Sequence, residues 1–230
     1  MQTFYLFFYN LFQALGWLIS LFKILGNFLS TKSVSGTYAS AGELIRLLQA
    51  IAFLEVIHGA IGIVPSGVLL PLMQWGGRTH YLLAIVRRIH EVQELPSVFI
   101  TFFAWSLSEI IRYSHYALNC LGTPPYWITY TRYTAFIVLY PIGVFPGEMW
   151  LMYQALPFIK KKNLYANRLP LNYYYFVVII NMVYIFIWRI TGFTLKKALL
   201  LSYPFLWSKL YLHLFNQRRS KLGKHKKKQN

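Results

Sequence analysis

Long apolar runs constrain this chain more than any other feature. They lie at 4–29, 45–66, 69–86, 96–117, 131–158, 173–190 and 198–215, and a helix needs about 20 such residues to cross a bilayer. The third is the weakest, interrupted by Gly76, Gly77, Arg78 and His80. The first has no basic leader and no small-residue cleavage site, so it reads as a retained span rather than a signal peptide. No alternation over segments of about 10 residues suggests a barrel. The expected fold is therefore all-α: a polytopic transmembrane helical bundle, one domain over 1–216 followed by a basic cytosolic tail at 217–230. Only 13% of the residues are charged, against about a quarter in a soluble domain, and that is too little polar surface to coat a globule.

The charges that exist are lopsided, with 23 Lys and Arg against 6 acids and a net charge of +17. Their positions argue against nucleic acid. Eight of the 23 fall in Lys209–Lys228 and four in Lys160–Arg168, with the others scattered around apolar runs. Nucleic-acid modules gather such residues on one folded face, whereas cytoplasmic membrane loops flank hydrophobic stretches with them. The same rule puts Lys160–Lys162 and the tail in the cytosol, joined by an even number of crossings. Thr31–Gly42, rich in Ser, Thr and Gly, reads as a loop, and Gly122–Pro125 as a turn.

All six acids are glutamate, which removes any mechanism built on an aspartate. Cys120 is the only cysteine, so neither an intrachain disulfide nor a cysteine zinc site is available. Ionisable groups inside apolar runs are costly and are functional candidates by default. Glu55 has His58 three residues on, which reads as a paired Glu–His rather than half of a di-iron site, because no second Glu-x-x-His exists. Glu109 and Arg112 are i, i+3 neighbours that neutralise each other on one helix. Arg132 and Tyr133 open the next run, where interfacial anchoring accounts for both.

The segment Leu139-Tyr-Pro-Ile-Gly-Val-Phe-Pro-Gly-Glu148 is different. A phenol and a carboxyl share one apolar helix, with two prolines and two glycines between them. Those residues break the backbone ladder and open space. A phenol and a carboxyl on either side of a substrate form an acid–base pair.

From Leu54 onward the chain resembles the very-long-chain (3R)-3-hydroxyacyl-CoA dehydratases, also called protein-tyrosine-phosphatase-like membrane proteins, with plant members foremost. The likeness is carried by Leu54-Glu-Val-Ile-His58 with Ile61–Pro65, Glu91-Val-Gln93, Ser108-Glu-Ile-Ile-Arg-Tyr113 and Arg132-Tyr133-Thr134. It continues through Leu139–Glu148, Ala155-Leu-Pro157, Tyr173–Phe176, Leu210-Tyr-Leu-His213 and Gln217-Arg-Arg219. Together these cover most of 50–220 in order.

The resemblance implies dehydration of a (3R)-3-hydroxyacyl-CoA to the trans-2-enoyl-CoA, the third step of fatty-acid elongation in the endoplasmic reticulum. It implies a six-span fold with cytosolic termini, working beside a condensing enzyme, a 3-ketoacyl-CoA reductase and an enoyl-CoA reductase. It assigns the essential pair to Tyr140 and Glu148. Arg112, Arg132, Tyr133 and Glu109 are supporting candidates that orient the pair or stabilise a developing enolate. The chemistry needs no metal and no redox cofactor. Lys160–Lys162 are placed to attract the phosphates of coenzyme A. Lys227-Lys-Gln-Asn230 resembles a dilysine retrieval signal.

Two departures from the family pattern matter. Its tyrosine and glutamate stand seven positions apart, but here they stand eight apart, and eight residues of straight helix rotate the pair by about 80°. A bulge at Pro146-Gly147 that absorbs one residue is the expectation. The stretch 177–209 is also longer than the family's last span and holds an added apolar run with Lys196-Lys197, so six and seven spans both stay open. The phosphatase reading fails for want of a Cys-x5-Arg loop, since Tyr126 stands six residues after Cys120. The other alternative is a catalytically silent membrane scaffold that binds elongase subunits or a phosphorylated partner.

Overall fold

The computed structural model describes residues 2–165, 172–191 and 212, with side chains for all but 183–191. Every regular element among them is helical. In chain order they are α1 (Gln2–Thr31), α2 (Thr37–Ile51), α3 (Leu54–Ala60), α4 (Leu69–Thr79), a π-helical continuation π1 (His80–Val86) and α5 (His90–Gln93). They continue with α6 (Pro96–Leu121), α7 (Tyr126–Arg132), α8 (Phe136–Ile142), a second π-helical stretch π2 (Gly143–Met149), α9 (Trp150–Lys161) and α10 (Tyr173–Thr191). Two stretches, Gln2–Thr31 and Tyr126–Lys161, are long and apolar enough to cross a membrane. The expectations for 198–215, for Lys196-Lys197 and for the tail at 217–230 lie outside the described residues.

α1 and α6 run along each other and form the spine, with α2 against α1 and with α8 and π2 against α6. α1 is apolar on its outer face as well as on its inner one. Its buried face carries Asn10, Gln13 and Ser20 among Tyr9, Trp17, Leu21 and Ile24, while Phe4, Phe8, Phe12, Leu15, Ile19 and Phe22 are exposed. The buried polar groups bond to backbone: Gln13 Nε2 to the Leu48 carbonyl at 3.2 Å, and Ser20 Oγ to the Gly16 carbonyl at 3.0 Å. Such a distribution suits hydrocarbon, where apolar side chains gain by facing outward and polar ones only by finding internal partners. α6 starts where Leu95 is extended and Pro96 takes the first turn, the position at which a missing N–H costs nothing.

Local geometry corrects several expected boundaries. The loop read as Thr31–Gly42 ends at Gly36, and α2 begins at Thr37. Gly36 holds a left-handed φ of +77° that favours glycine, and its N–H donates to Glu94 Oε2 at 2.5 Å. The run 45–66 is not one helix, because the chain turns at Ala52-Phe53 and α3 stops at Ala60. Gly59 sits so close to the next loop that a Cβ there would lie 2.2 Å from the Gly67 carbonyl oxygen. Conversely, 69–86 is uninterrupted: α4 passes through Gly76 and Gly77 directly into π1. The turn at Gly122–Pro125 is as expected.

One end of the bundle is tied together by polar contacts. Lys162 Nζ meets Glu91 Oε2 at 2.8 Å, joining the end of α9 to α5, and this hydrogen bond holds the Glu91 carboxyl below its ordinary range. Gln93 Nε2 donates to the Val86 carbonyl at 2.9 Å, locking α5 beneath π1.

Candidate active site

Glu148 lies in π2, and Tyr140 in the last turns of α8 just before it. The prolines explain why the helix widens here. In an α-helix the Pro146 ring would collide with the carbonyl four residues back, at Ile142, and a turn wound one residue wider relieves that clash. The Trp150 N–H accordingly reaches back five residues to the Phe145 carbonyl. A widened turn takes up one residue, so the eight positions from Tyr140 to Glu148 rotate the chain as about seven would. By the arithmetic of an ideal helix this brings the two groups to within about 20° of one face, where a straight helix would leave them about 80° apart.

Close packing then presses this turn onto α6. A Cβ on Gly143 would lie 3.3 Å from the Ala104 Cβ, and one on Gly147 only 2.5 Å from Thr101 Oγ1. Small residues four apart let two backbones approach. Thr101 is not free to give way, because its hydroxyl donates to the Ser97 carbonyl at 2.8 Å and accepts from the Tyr81 hydroxyl at 3.2 Å. Gly147→Ala is therefore expected to destabilise the fold by about 1–3 kcal/mol, seen as a lowered Tm in detergent. Adding Thr101→Ala should relieve most of that loss. A neutral Gly147→Ala would disprove the close approach.

The approach delivers Glu148 to Trp105, whose buried indole Nε1 donates to Glu148 Oε1 at 2.8 Å. The Arg78 guanidinium stacks 4.9 Å from the centroid of the same indole, and Tyr81 meets its edge at 5.4 Å. Arg78 in turn pairs with Glu109. Glu109 also binds Arg112, with Arg112 Nε at 2.6 Å from its Oε2. Arg112 reaches across to Glu55 with two nitrogens, at 2.6 and 3.1 Å. The Tyr113 hydroxyl donates to Glu55 as well, and the Tyr9 hydroxyl does so at 3.4 Å. Two carboxylates and two guanidiniums thus cancel in the interior of α1, α3, α4 and α6. A cleft lined by Gln49, Glu55, Gln74, Trp75, Arg78 and Arg112 opens beside them.

The supporting residues expected from sequence join this array to different degrees. Glu109 and Arg112 form the intrahelical pair that their spacing implied, but each also has a partner on another helix. Arg132 stands at the α7–α8 junction, where its Nη2 donates to the Tyr116 hydroxyl at 3.3 Å. Tyr116 lies between Arg132, 5.7 Å from its ring, and Arg112 at 5.9 Å. Tyr133 is buried, edge-on to His115 at 5.8 Å. Tyr140 is half-buried on α8, against α6.

Glu55 does not pair with His58, contrary to expectation. It turns to Arg112, and His58 Nε2 shares a hydrogen bond of 2.8 Å with the Tyr5 hydroxyl instead. A full guanidinium charge simply outcompetes a neutral imidazole. Sequence reasoning missed Trp105 and Arg78. An arginine inside an apolar run was a usable signal for Arg78. Trp105 gave none, being one more aromatic residue among apolar ones.

A carboxyl oriented by an indole N–H and a phenol one π turn before it are the two groups needed to remove a proton at one carbon and protonate a leaving oxygen at the next.

The family model described as "Protein tyrosine phosphatase-like protein, PTPLA" matches residues 49–224. The very-long-chain (3R)-3-hydroxyacyl-CoA dehydratase 2 of Homo sapiens is 36% identical over 236 residues, covering 99% of this chain and 85% of the relative. Its Mus musculus counterpart is 38% identical, covering 98% and 84%. The very-long-chain (3R)-3-hydroxyacyl-CoA dehydratase 1 of Ovis aries is 34% identical, covering 96% and 72%. No solved structure matches.

Proposed function

The chain belongs to the protein tyrosine phosphatase-like family, and on that footing we propose that it is a hydro-lyase acting on very-long-chain (3R)-3-hydroxyacyl-CoA. The reaction breaks a C–H bond at C2 and the C–O bond at C3, forms the trans-2 double bond and releases water, with no net oxidation. Tyr140 and Glu148 carry the two proton movements. The thioester carbonyl acidifies the C2 proton, so a positioned base suffices to remove it. The C3 hydroxyl leaves as water once the partner group protonates it. Trp105 fixes the carboxyl where it is needed, and the Arg78–Glu109–Arg112–Glu55 array gives the surrounding helices one arrangement. One observation carries this reading: a π turn over Gly143–Met149 stands between phenol and carboxyl, and a turn of that width takes up one residue. It also weighs against a silent scaffold.

The same reading places the protein in the endoplasmic-reticulum membrane as a multi-pass chain of six spans with a cytosolic tail. There it performs the third step of fatty-acid elongation alongside the condensing enzyme and the two reductases. The exposed apolar face of α1 and the apolar Tyr126–Lys161 stretch support the membrane setting.

The reading is tested by following conversion of a long-chain 3-hydroxyacyl-CoA in microsomes that express the chain, beside an active relative. An inserted but inactive chain sinks it. A sharper test concerns the spacing. Deleting Pro146 removes both the extra residue and the need for a wide turn, so the dehydration rate should stay within about tenfold of the parent. Inserting one alanine after Gly147 turns Glu148 by about 100° and should abolish activity. A deletion as inactive as the insertion would show that the π turn does not set the register.

A further inference from the structure

The distribution of charge points to a second recognition site, and the argument rests on the dehydratase reading. All six glutamates are already engaged. Glu43 is held by Arg46, Glu55 and Glu109 by the interior arginines, and Glu91 by Lys162. Glu94 accepts from the Gly36 N–H, and Glu148 from Trp105. The interior arginines are therefore neutralised, while the cations at one end of the bundle are not.

Arg87 and Arg88 follow directly on π1, and Lys160 and Lys161 close α9; all four are exposed. Among the described residues none of the four has a carboxylate partner. The Lys162–Glu91 bond at 2.8 Å and the packing of α9 on π1 bring the two segments to the same end. Four uncompensated cations held together repel one another, and a polyanion relieves that repulsion.

Distance identifies the anion. Lys160 follows Glu148 by twelve positions along nearly continuous helix, a rise of about 18 Å at 1.5 Å per residue. An extended pantetheine arm separates a reacting thioester from the phosphates of coenzyme A by a comparable reach. We infer that Arg87, Arg88, Lys160 and Lys161 form a phosphate-binding rim that holds the nucleotide end of the acyl-CoA while its acyl end reacts at Glu148.

The test compares the parent with Arg87→Gln/Arg88→Gln and Lys160→Gln/Lys161→Gln in nanodiscs of neutral phosphatidylcholine. Each pair of substitutions should raise KM for a long-chain 3-hydroxyacyl-CoA by about fivefold, with kcat held. For the same acyl thioester of pantetheine, which lacks the phosphates, the ratio of variant to parent KM should stay near one. Equal shifts for both thioesters, or none for either, overturn the inference. Repeating the comparison in discs with anionic lipid separates the other source of phosphate. Variants that lose only their affinity for anionic lipid, with KM for the CoA thioester unmoved, assign the rim to headgroups and overturn the inference too. Binding of adenosine 3′,5′-bisphosphate reads the rim without turnover. A parent that binds it, with binding lost in both variants, supports the rim even if the dehydratase reading fails. A catalytically active parent that does not bind it sinks the rim alone.

Discussion

Tyr140→Phe and Glu148→Gln are each expected to lower dehydration of a long-chain 3-hydroxyacyl-CoA by about a hundredfold or more, with the amount of inserted protein unchanged. Both substitutions keep the shape of the side chain and remove the group that exchanges a proton, and a positioned acid or base contributes about 10²–10⁴ in rate. The amide oxygen introduced by Glu148→Gln can still accept the Trp105 N–H bond, which spans 2.8 Å in the parent, so loss of activity there isolates the proton transfer from the packing. In the proposed mechanism the two groups serve one elimination, so the double variant should be little worse than either single one. Rates are to be measured in microsomes at matched expression. Either variant retaining half the parent's rate would remove that residue from the chemistry.

The second large effect is on stability. Glu109 is only 1% exposed and neutralises both Arg78 and Arg112. Glu109→Ala leaves a surplus guanidinium charge in an apolar interior, where losing one partner of a buried pair costs about 3–5 kcal/mol. Thermal unfolding in detergent should show it as a much lowered Tm, or as failure to accumulate. The compensated variant Glu109→Ala/Arg78→Leu leaves the Arg112–Glu55 pair at 2.6 Å intact and should recover a good part of the loss. A single variant within about 1 kcal/mol of the parent would mean that water reaches the array and screens it.

The two predictions differ in how far they could be foreseen. Glu109 and Arg112 are three residues apart on one helix, so their pairing follows from sequence spacing alone. Their further partners do not. Arg78 lies 31 positions before Glu109, and Glu55 lies 57 before Arg112; nothing local links them. The same holds for Trp105 and Glu148, 43 apart. Tyr140 and Glu148 stood out as a phenol and a carboxyl in one apolar segment, a family resemblance assigned them as the essential pair, and the arithmetic of the helix posed the question of their register. The widened turn over Gly143–Met149 that bears on it was suggested by Pro146, since a proline's steric demand acts within one turn.

By itself, then, the sequence determined that the chain is helical and apolar, where most helices run, that the helix must yield near Pro146, and which acid and base share an intrahelical pair. These depend on contacts within about one helical turn, and the residues making them are adjacent in the text of the chain. Only the tertiary structure decided which carboxylate meets which guanidinium, that Glu55 leaves His58 for Arg112, and that Trp105 orients Glu148. In an apolar setting one hydrophobic helix face resembles another, so the pattern of such faces does not select a neighbour. The selection is made where backbones can come closest, as at Gly147 against Thr101, and by the cost of leaving a buried charge unpaired.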